Sequence, residues 1–361
     1  MTPEEAAACA AAGVLADAPG AVLAEPAAPG DRPAVPAVPR VPAVPRVPAV
    51  PDAPDAPGAR PPGPAELSVA LLDRGACVRG ADRGPLRFVV LGDSFSEGVG
   101  DRVAGEWRGW AALLADGLSD GGRETAFLNL AVSGALSADV AAAQAPAALA
   151  FRPHLASVVV GVNDTLRHGF DIVLLARRLD RVCAGLDALG AVLLTACLPD
   201  PGRMLGLPPP LARPLARRQR SVNSVVHAVS ARYGAVHLHL ADPVWTEDRA
   251  LWSADRLHPG ERGHRAVAAG FHRLLAARGL AHGAPPSPEP AQPPPTRAEA
   301  LLWLATAGTG WVLRRSRDLL PQLLLLAGAE LRHWADGSGT APLDACADDA
   351  LAAALAATMG R

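Results

Sequence analysis

Four short segments, far apart in the chain, carry the residue types that acyl transfer needs: GDSFSEG (92–98), NLAVSGA (129–135), GVNDT (161–165) and ADRLHPG (254–260). The first offers Ser94, whose hydroxyl is a poor nucleophile until a base removes its proton. His258 is the candidate base. Asp255 precedes it by three residues, and a tight turn of that spacing brings a carboxylate to one imidazole nitrogen, so that the other faces the serine. A tetrahedral intermediate also needs hydrogen-bond donors aimed at its oxyanion. The backbone N–H groups of Ser94 and Gly134 and the side-chain amide of Asn163 are the candidates. Asp93 and Asp164 flank the nucleophile and the amide, and both read as hydrogen-bonding the site loops. Each segment also has a plainer explanation. A serine after a strand can be a helix N-cap, Asp-x-x-His-Pro a capping loop, and Gly134 and Asn163 turn residues. None of these explains why the four segments would meet.

The elements around them supply that reason. Apolar runs LRFVVL (86–91), TAFLNL (125–130), ASVVVG (156–161), AVLLTA (191–196) and AVHLHL (235–240) read as strands buried on both faces. Helical patterns at 106–118, 136–149, 171–189, 211–232 and 260–278 lie between and after them. Strict alternation predicts an α/β fold, a three-layer α/β/α sandwich on a five-stranded parallel sheet with right-handed crossovers. In such a sheet ligands bind beyond the carboxyl ends of the strands, where these four segments fall.

In this order, the blocks GDS, Gly, GxND and DxxH, with Ser94, Gly134, Asn163 and His258, resemble the SGNH (GDSL-type) hydrolase family of esterases and lipases over roughly residues 85–282. The resemblance implies a flavodoxin-like sheet of strand order 2-1-3-4-5, a Ser-His-Asp mechanism with Asp255 as its acid, and no metal or organic cofactor. Phe95 stands where the GDSL name has leucine, a change expected to alter packing near the nucleophile. GDSFSEGVGD, GVNDTLR, HPGERGH and WVLRRSRDLLP resemble actinobacterial members in particular. The implied reaction is ester hydrolysis through an acyl-enzyme. O-acyltransfer or deacetylation on a glycan or specialised metabolite is the alternative, and a non-enzymatic binding module a third.

Composition narrows the partners. All 34 basic side chains are arginine and the formal charge is -2, which removes lysine chemistry and gives no attraction to nucleic acid. A small-molecule ester is the expected substrate. Cys9, Cys77, Cys183, Cys197 and Cys346 show no metal-ligand spacing and read as buried thiols or incidental residues. His154, His168, His227, His237, His239, His264 and His272 have no motif context and read as surface or packing residues. The acidic N-terminus lacks a signal-peptide pattern, so the expectation is cytoplasmic.

The chain divides by composition. Residues 1–64 form a disordered Pro/Ala-rich leader, 65–283 the catalytic domain and 284–296 a Pro-rich linker. Residues 297–335 form a C-terminal helical segment expected to pack on that domain, or to meet a partner or a membrane surface, and 336–361 a mobile or helical tail. The apolar run 319–329 is too short to span a bilayer.

Overall fold

The computed structural model describes residues 84–119, 123–291 and 309–359. Five parallel strands form one sheet: β1 (Leu86–Gly92), β4 (Thr125–Asn129), β5 (Leu155–Val159), β6 (Val192–Cys197) and β7 (Val236–His239). Their spatial order is β4-β1-β5-β6-β7, which is 2-1-3-4-5 when these five alone are counted. Strand β1 is central, pairing Phe88 with Phe127 of β4 on one side and with Leu155 of β5 on the other. Because alternate side chains leave opposite faces, Phe88 and Val90 enter one core layer while Val89 and Leu91 enter the other.

Helices cover both layers. The first layer holds α2 (Gly109–Leu118) and α10 (Glu261–Ala277), whose Trp110 and Phe271 rings stack 5.0 Å apart and are fully buried. The second holds α6 (Ile172–Ala188) and α8 (Pro209–Arg232). Short elements α1 (Ser94–Glu97), α5 (Val162–Thr165), α7 (Pro201–Leu205) and α9 (Pro243–Thr246) follow strand ends. The architecture is an α/β fold with a five-stranded parallel sheet flanked by helices.

Local details depart from the sequence reading. Residues 106–107 do not open a helix; Glu106–Trp107 (β3) pairs with Arg102–Val103 (β2) as a small antiparallel ribbon, and α2 begins at Gly109. The expected helix at 136–149 is interrupted: α3 (Ser137–Asp139) passes through a π-helical stretch, Val140–Gln144, into α4 (Ala145–Phe151). Pro321 follows the start of the apolar run 319–329, where the first turn of a helix would tolerate it. It lies instead inside α11 (Thr309–Ala335), where packing beyond it, through Leu326, Ala327, Ala329 and Glu330, offsets the lost backbone hydrogen bond. Residues 341–359 form α12 (Ala341–Met359), which packs on α6 and α8 with Leu343, Ala350 and Ala354 buried. Cys183 and Cys197 are free and buried, whereas Cys346 is disulfide-bonded, contrary to its reading as a thiol. The leader at 1–64, residues 292–296 of the linker and residues 297–308 of the C-terminal segment lie outside the described residues. No helix among the described residues is long and apolar enough to cross a membrane.

The C-terminal helices are tied to the sandwich through Arg217 of α8. Its guanidinium lies 2.8 Å from Glu330 of α11 and 2.7 Å from Asp344 of α12. Glu330 is 3% exposed and Asp344 45% exposed, so the two pairs differ in worth. Glu330→Ala is expected to cost about 3–5 kcal/mol, as for removal of one partner of a buried pair. Asp344→Ala is expected to cost under about 1 kcal/mol. Urea unfolding of both variants measures the contrast, and equal losses would mean that burial does not set the strength of this junction.

Candidate active site

The turn after β1 is built to expose one side chain. At Gly92 a Cβ would lie 2.3 Å from the Val159 carbonyl oxygen, so the backbone can pass β5 only as glycine. Asp93 is the N-cap of α1: its Oδ1 accepts the Phe95 N–H at 3.1 Å. Ser94 is therefore the first helical residue and not the cap. Phe95 is buried against Trp110 and His264, anchoring the turn from below. Gln144 clamps the strand end from the opposite layer, accepting the Gly92 N–H at 2.8 Å and donating to the Gly92 carbonyl at 2.9 Å.

His258 reaches this turn from a loop 164 residues away. Its Nε2 stands 2.7 Å from Ser94 Oγ, and its Nδ1 stands 2.7 Å from Asp255 Oδ2. The other carboxylate oxygen of Asp255 accepts from the backbone N–H groups of Leu257 and His258 and from the Ser253 hydroxyl. Burial alone would raise the Asp255 pKa. The His258 ring, the His258 N–H and the Ser253 hydroxyl outweigh it and pull the group down to about 2. The carboxylate is thus ionised, Nδ1–H donates to it, and Nε2 is the nitrogen that faces Ser94 Oγ. The turn that allows this passes through Arg256 at φ +59°, a left-handed conformation rare outside glycine. Its ends are closed by the Ser253 N–H on the His258 carbonyl and the Gly260 N–H on the Leu251 carbonyl. Trp252 belongs to this closure, bridging Pro259 and donating its ring N–H to the Trp245 carbonyl.

His264, on the first turns of α10, joins the two halves. Its Nδ1 accepts the Trp110 N–H, so Nε2 carries the proton and donates to the Val99 carbonyl at 3.0 Å. Burial pushes its pKa down to about 4, keeping it neutral in that bridging role. Nearby, Arg108 pairs with Asp101 and Glu261 across the same junction.

The candidate donors come from two further strand ends. Asn163, in α5 after β5, directs its amide N–H groups to Asp93 Oδ2 and to the Ala135 carbonyl, each at 3.2 Å. Gly134 sits at φ +84° in the loop after β4. Among the described residues neither its N–H nor that of Ser94 meets an acceptor. Asp164 fastens the same loop to α5, accepting from the N–H and hydroxyl of Ser137, the latter at 2.6 Å. Burial raises the Asp164 pKa, and it also raises that of Asp93 to about 6. From behind, buried Arg218 of α8 donates to the Thr165 and Arg167 carbonyls and so holds the chain that follows Asn163. Ser94, Asp93, Gly134, Asn163, Asp164, Asp255 and His258 therefore lie at one sheet edge. Gln144, Ser253, Ser137, Arg218 and His264 were missed. Only Gln144 left a sequence signal, as the one polar side chain in the stretch VAAAQAPAA (140–148).

Residues 90–266 match the GDSL-like lipase/acylhydrolase family. Over those residues the chain is similar to members of that family. The match takes in the Ser94 turn, the Gly134 and Asn163 loops and the His258 loop. No curated protein matches the chain. Among solved structures it is similar to TesA, at 26% identity over 53% of this chain and 99% of that one, TM-score 0.42. It is also similar to the acetylxylan esterase Axe2 from Geobacillus stearothermophilus, at 18% identity over 54% and 95%, TM-score 0.43. A third is the psychrotrophic esterase EstA from Pseudoalteromonas sp., at 19% over 53% and 97%, TM-score 0.42.

The depressed Asp255 pKa has a consequence for stability in acid. A carboxylate at about 3.8 unfolded and about 2 folded contributes roughly 2 kcal/mol, fully present above pH 4 and lost as the pH falls through 2. The stability gap between the native protein and Asp255→Asn should therefore shrink as the pH drops from 5 to 2. Denaturant unfolding across that range reads it. A gap independent of pH would show that Asp255 is not held ionised by the fold.

Proposed function

We propose that this protein is a serine hydrolase that cleaves a carboxylic ester through an acyl-enzyme. The observation that carries the reading is the unbroken relay from Ser94 Oγ through His258 to Asp255, with both links at 2.7 Å. Ser94 Oγ attacks the acyl carbon while its proton passes to His258 Nε2. The imidazolium so formed faces the Asp255 carboxylate, which stabilises it and holds the ring's orientation. The oxyanion meets the N–H groups of Ser94 and Gly134 and one amide hydrogen of Asn163, which leaves the Ala135 carbonyl to reach it. Asp93 and Asp164 act as positioning residues, the first orienting the Asn163 amide and the second fixing the Gly134 loop. His258 then gives its proton to the departing alkoxide. Water, deprotonated by the same ring, attacks the acyl-enzyme and frees the acid and Ser94. No step in this sequence calls for a metal or an organic cofactor.

The substrate class is a small-molecule ester. An alcohol replacing water in the second half would make the same residues an O-acyltransferase, and an acetylated glycan or specialised metabolite would make them a deacetylase. The catalytic unit is proposed to span residues 65–283, with the C-terminal helices part of its folded body.

Ser94→Ala should abolish turnover of short acyl esters and labelling by a fluorophosphonate while leaving the circular dichroism spectrum unchanged. Retained labelling would remove Ser94 from the mechanism. Asp255→Asn should lower kcat by about 10⁴ through the wrong tautomer, and most activity surviving would mean a Ser-His dyad.

The donor assignment separates by kinetics. Asn163→Ala is expected to reduce kcat by about 10²–10³ with KM nearly constant, because the interaction is made in the transition state. A loss confined to KM would recast Asn163 as a substrate-binding residue.

A further inference from the structure

We propose that Cys197, His227, His237 and His239 form a zinc site on the edge of the sheet, separate from the residues of the Ser94 relay. The four side chains come from three elements: Cys197 ends β6, His237 and His239 alternate on β7, and His227 lies on α8. Parallel register places Cys197 beside His239 and Thr195 beside His237. Residues two apart on a strand share a face, so both histidines of β7 stand on one side of the sheet. His227 of α8 closes over them, with its ring 4.8 Å from that of His237 and 5.2 Å from that of His239. The potential ligand atoms of all four residues lie within 4.8 Å of one another.

Proton accounting shows which nitrogen of His237 is offered. The Ser230 hydroxyl donates to the Val226 carbonyl, so it accepts from Thr195 at 2.7 Å. With the Thr195 proton thus used, Thr195 Oγ1 can only accept from His237, and Nδ1 must carry the hydrogen across 2.9 Å. Nε2 is left as a bare lone pair. It is buried and has no hydrogen-bond partner among the described residues. A buried acceptor with nothing to accept is destabilising, and a bound cation would remove that cost. The hydroxyl pair is also the outer support that ligating histidines use to fix tautomer and ring angle.

The donor set selects the metal. Three imidazoles and one thiol suit a borderline-soft ion in tetrahedral geometry, which is the pattern of a closed, structural zinc site. With Zn–N near 2.0 Å and Zn–S near 2.3 Å, tetrahedral ligand atoms lie about 3.3–3.6 Å apart. The observed spread contracts to that by side-chain rotation of His227 and His239, both exposed. Cys197 is buried and binds as thiolate, releasing its proton to solvent. In sequence these residues look unrelated, because β6, β7 and α8 bring them together only through register and packing.

The test uses the full chain, freed of any affinity tag, reduced and stripped with chelator. Zinc titrated against a chromophoric chelator should bind at one ion per chain and raise the melting temperature. Cobalt should give the visible bands of tetrahedral coordination with a near-ultraviolet sulfur-to-metal band that Cys197→Ser abolishes. His227→Ala and His239→Ala, at exposed positions, should weaken zinc at least tenfold while keeping the metal-free melting temperature. Well under one zinc per chain, an octahedral cobalt spectrum, or unchanged affinity in either histidine variant would overturn the proposal.

Discussion

The parallel pairing of β1 with β4 on one side and β5 on the other is the constraint on which the site depends. Parallel strands end at the same edge, so the turns carrying Ser94, Gly134 and Asn163 are neighbours by construction. Their mutual distances are then set by a few buried hydrogen bonds. Gln144 holds the end of β1, Asp93 links it to Asn163, and Asp164 links α5 to the Gly134 loop. The fourth segment has no such neighbour on the sheet. It reaches Ser94 because α10 is fastened to α2, in the same layer, through Trp110, Phe271 and His264.

Two carboxylates near Ser94 are both pushed up by burial, yet they end on opposite sides of the usual value. Asp255 is surrounded by donors and a ring that can carry charge, so its ionised form is favoured. Asp93 has one backbone donor and one amide, and it shares its surroundings with Asp164, so desolvation prevails and its pKa rises to about 6. A carboxylate opposite an imidazolium must stay charged, whereas one that only orients an amide tolerates partial neutralisation. Environment, not residue type, separates the two roles.

Helix α8 connects features that otherwise look independent. Adjacent arginines on it face different tasks: Arg217 meets Glu330 and Asp344 of the C-terminal helices, and Arg218 holds the carbonyls that follow Asn163. His227, nearly three turns further on, joins the histidines of β7. Buried Arg217 is satisfied through α11 and α12, so the helix that backs the Asn163 loop depends on the C-terminal region for its own charge balance.

The sequence by itself determined the sheet and the segments that carry the site. Strand β1 and its Gly-Asp-Ser turn were legible because a strand buried on both faces must be continuously apolar, and because glycine, a capping acid and a hydroxyl leave their marks in one short string. The Asp255 to His258 spacing was legible for the same reason, since both partners lie within one turn. The tertiary structure alone decided what depends on contacts between distant residues. The link from Ser94 to His258, the clamp by Gln144 and the seat of α12 each join residues with no local pattern in common. The cluster of Cys197, His227, His237 and His239 is the sharpest case. His237 and His239 share a face through the two-residue period of β7, but strand register supplies the cysteine and helix packing supplies the third imidazole, and neither is encoded in the spacing of the residues themselves.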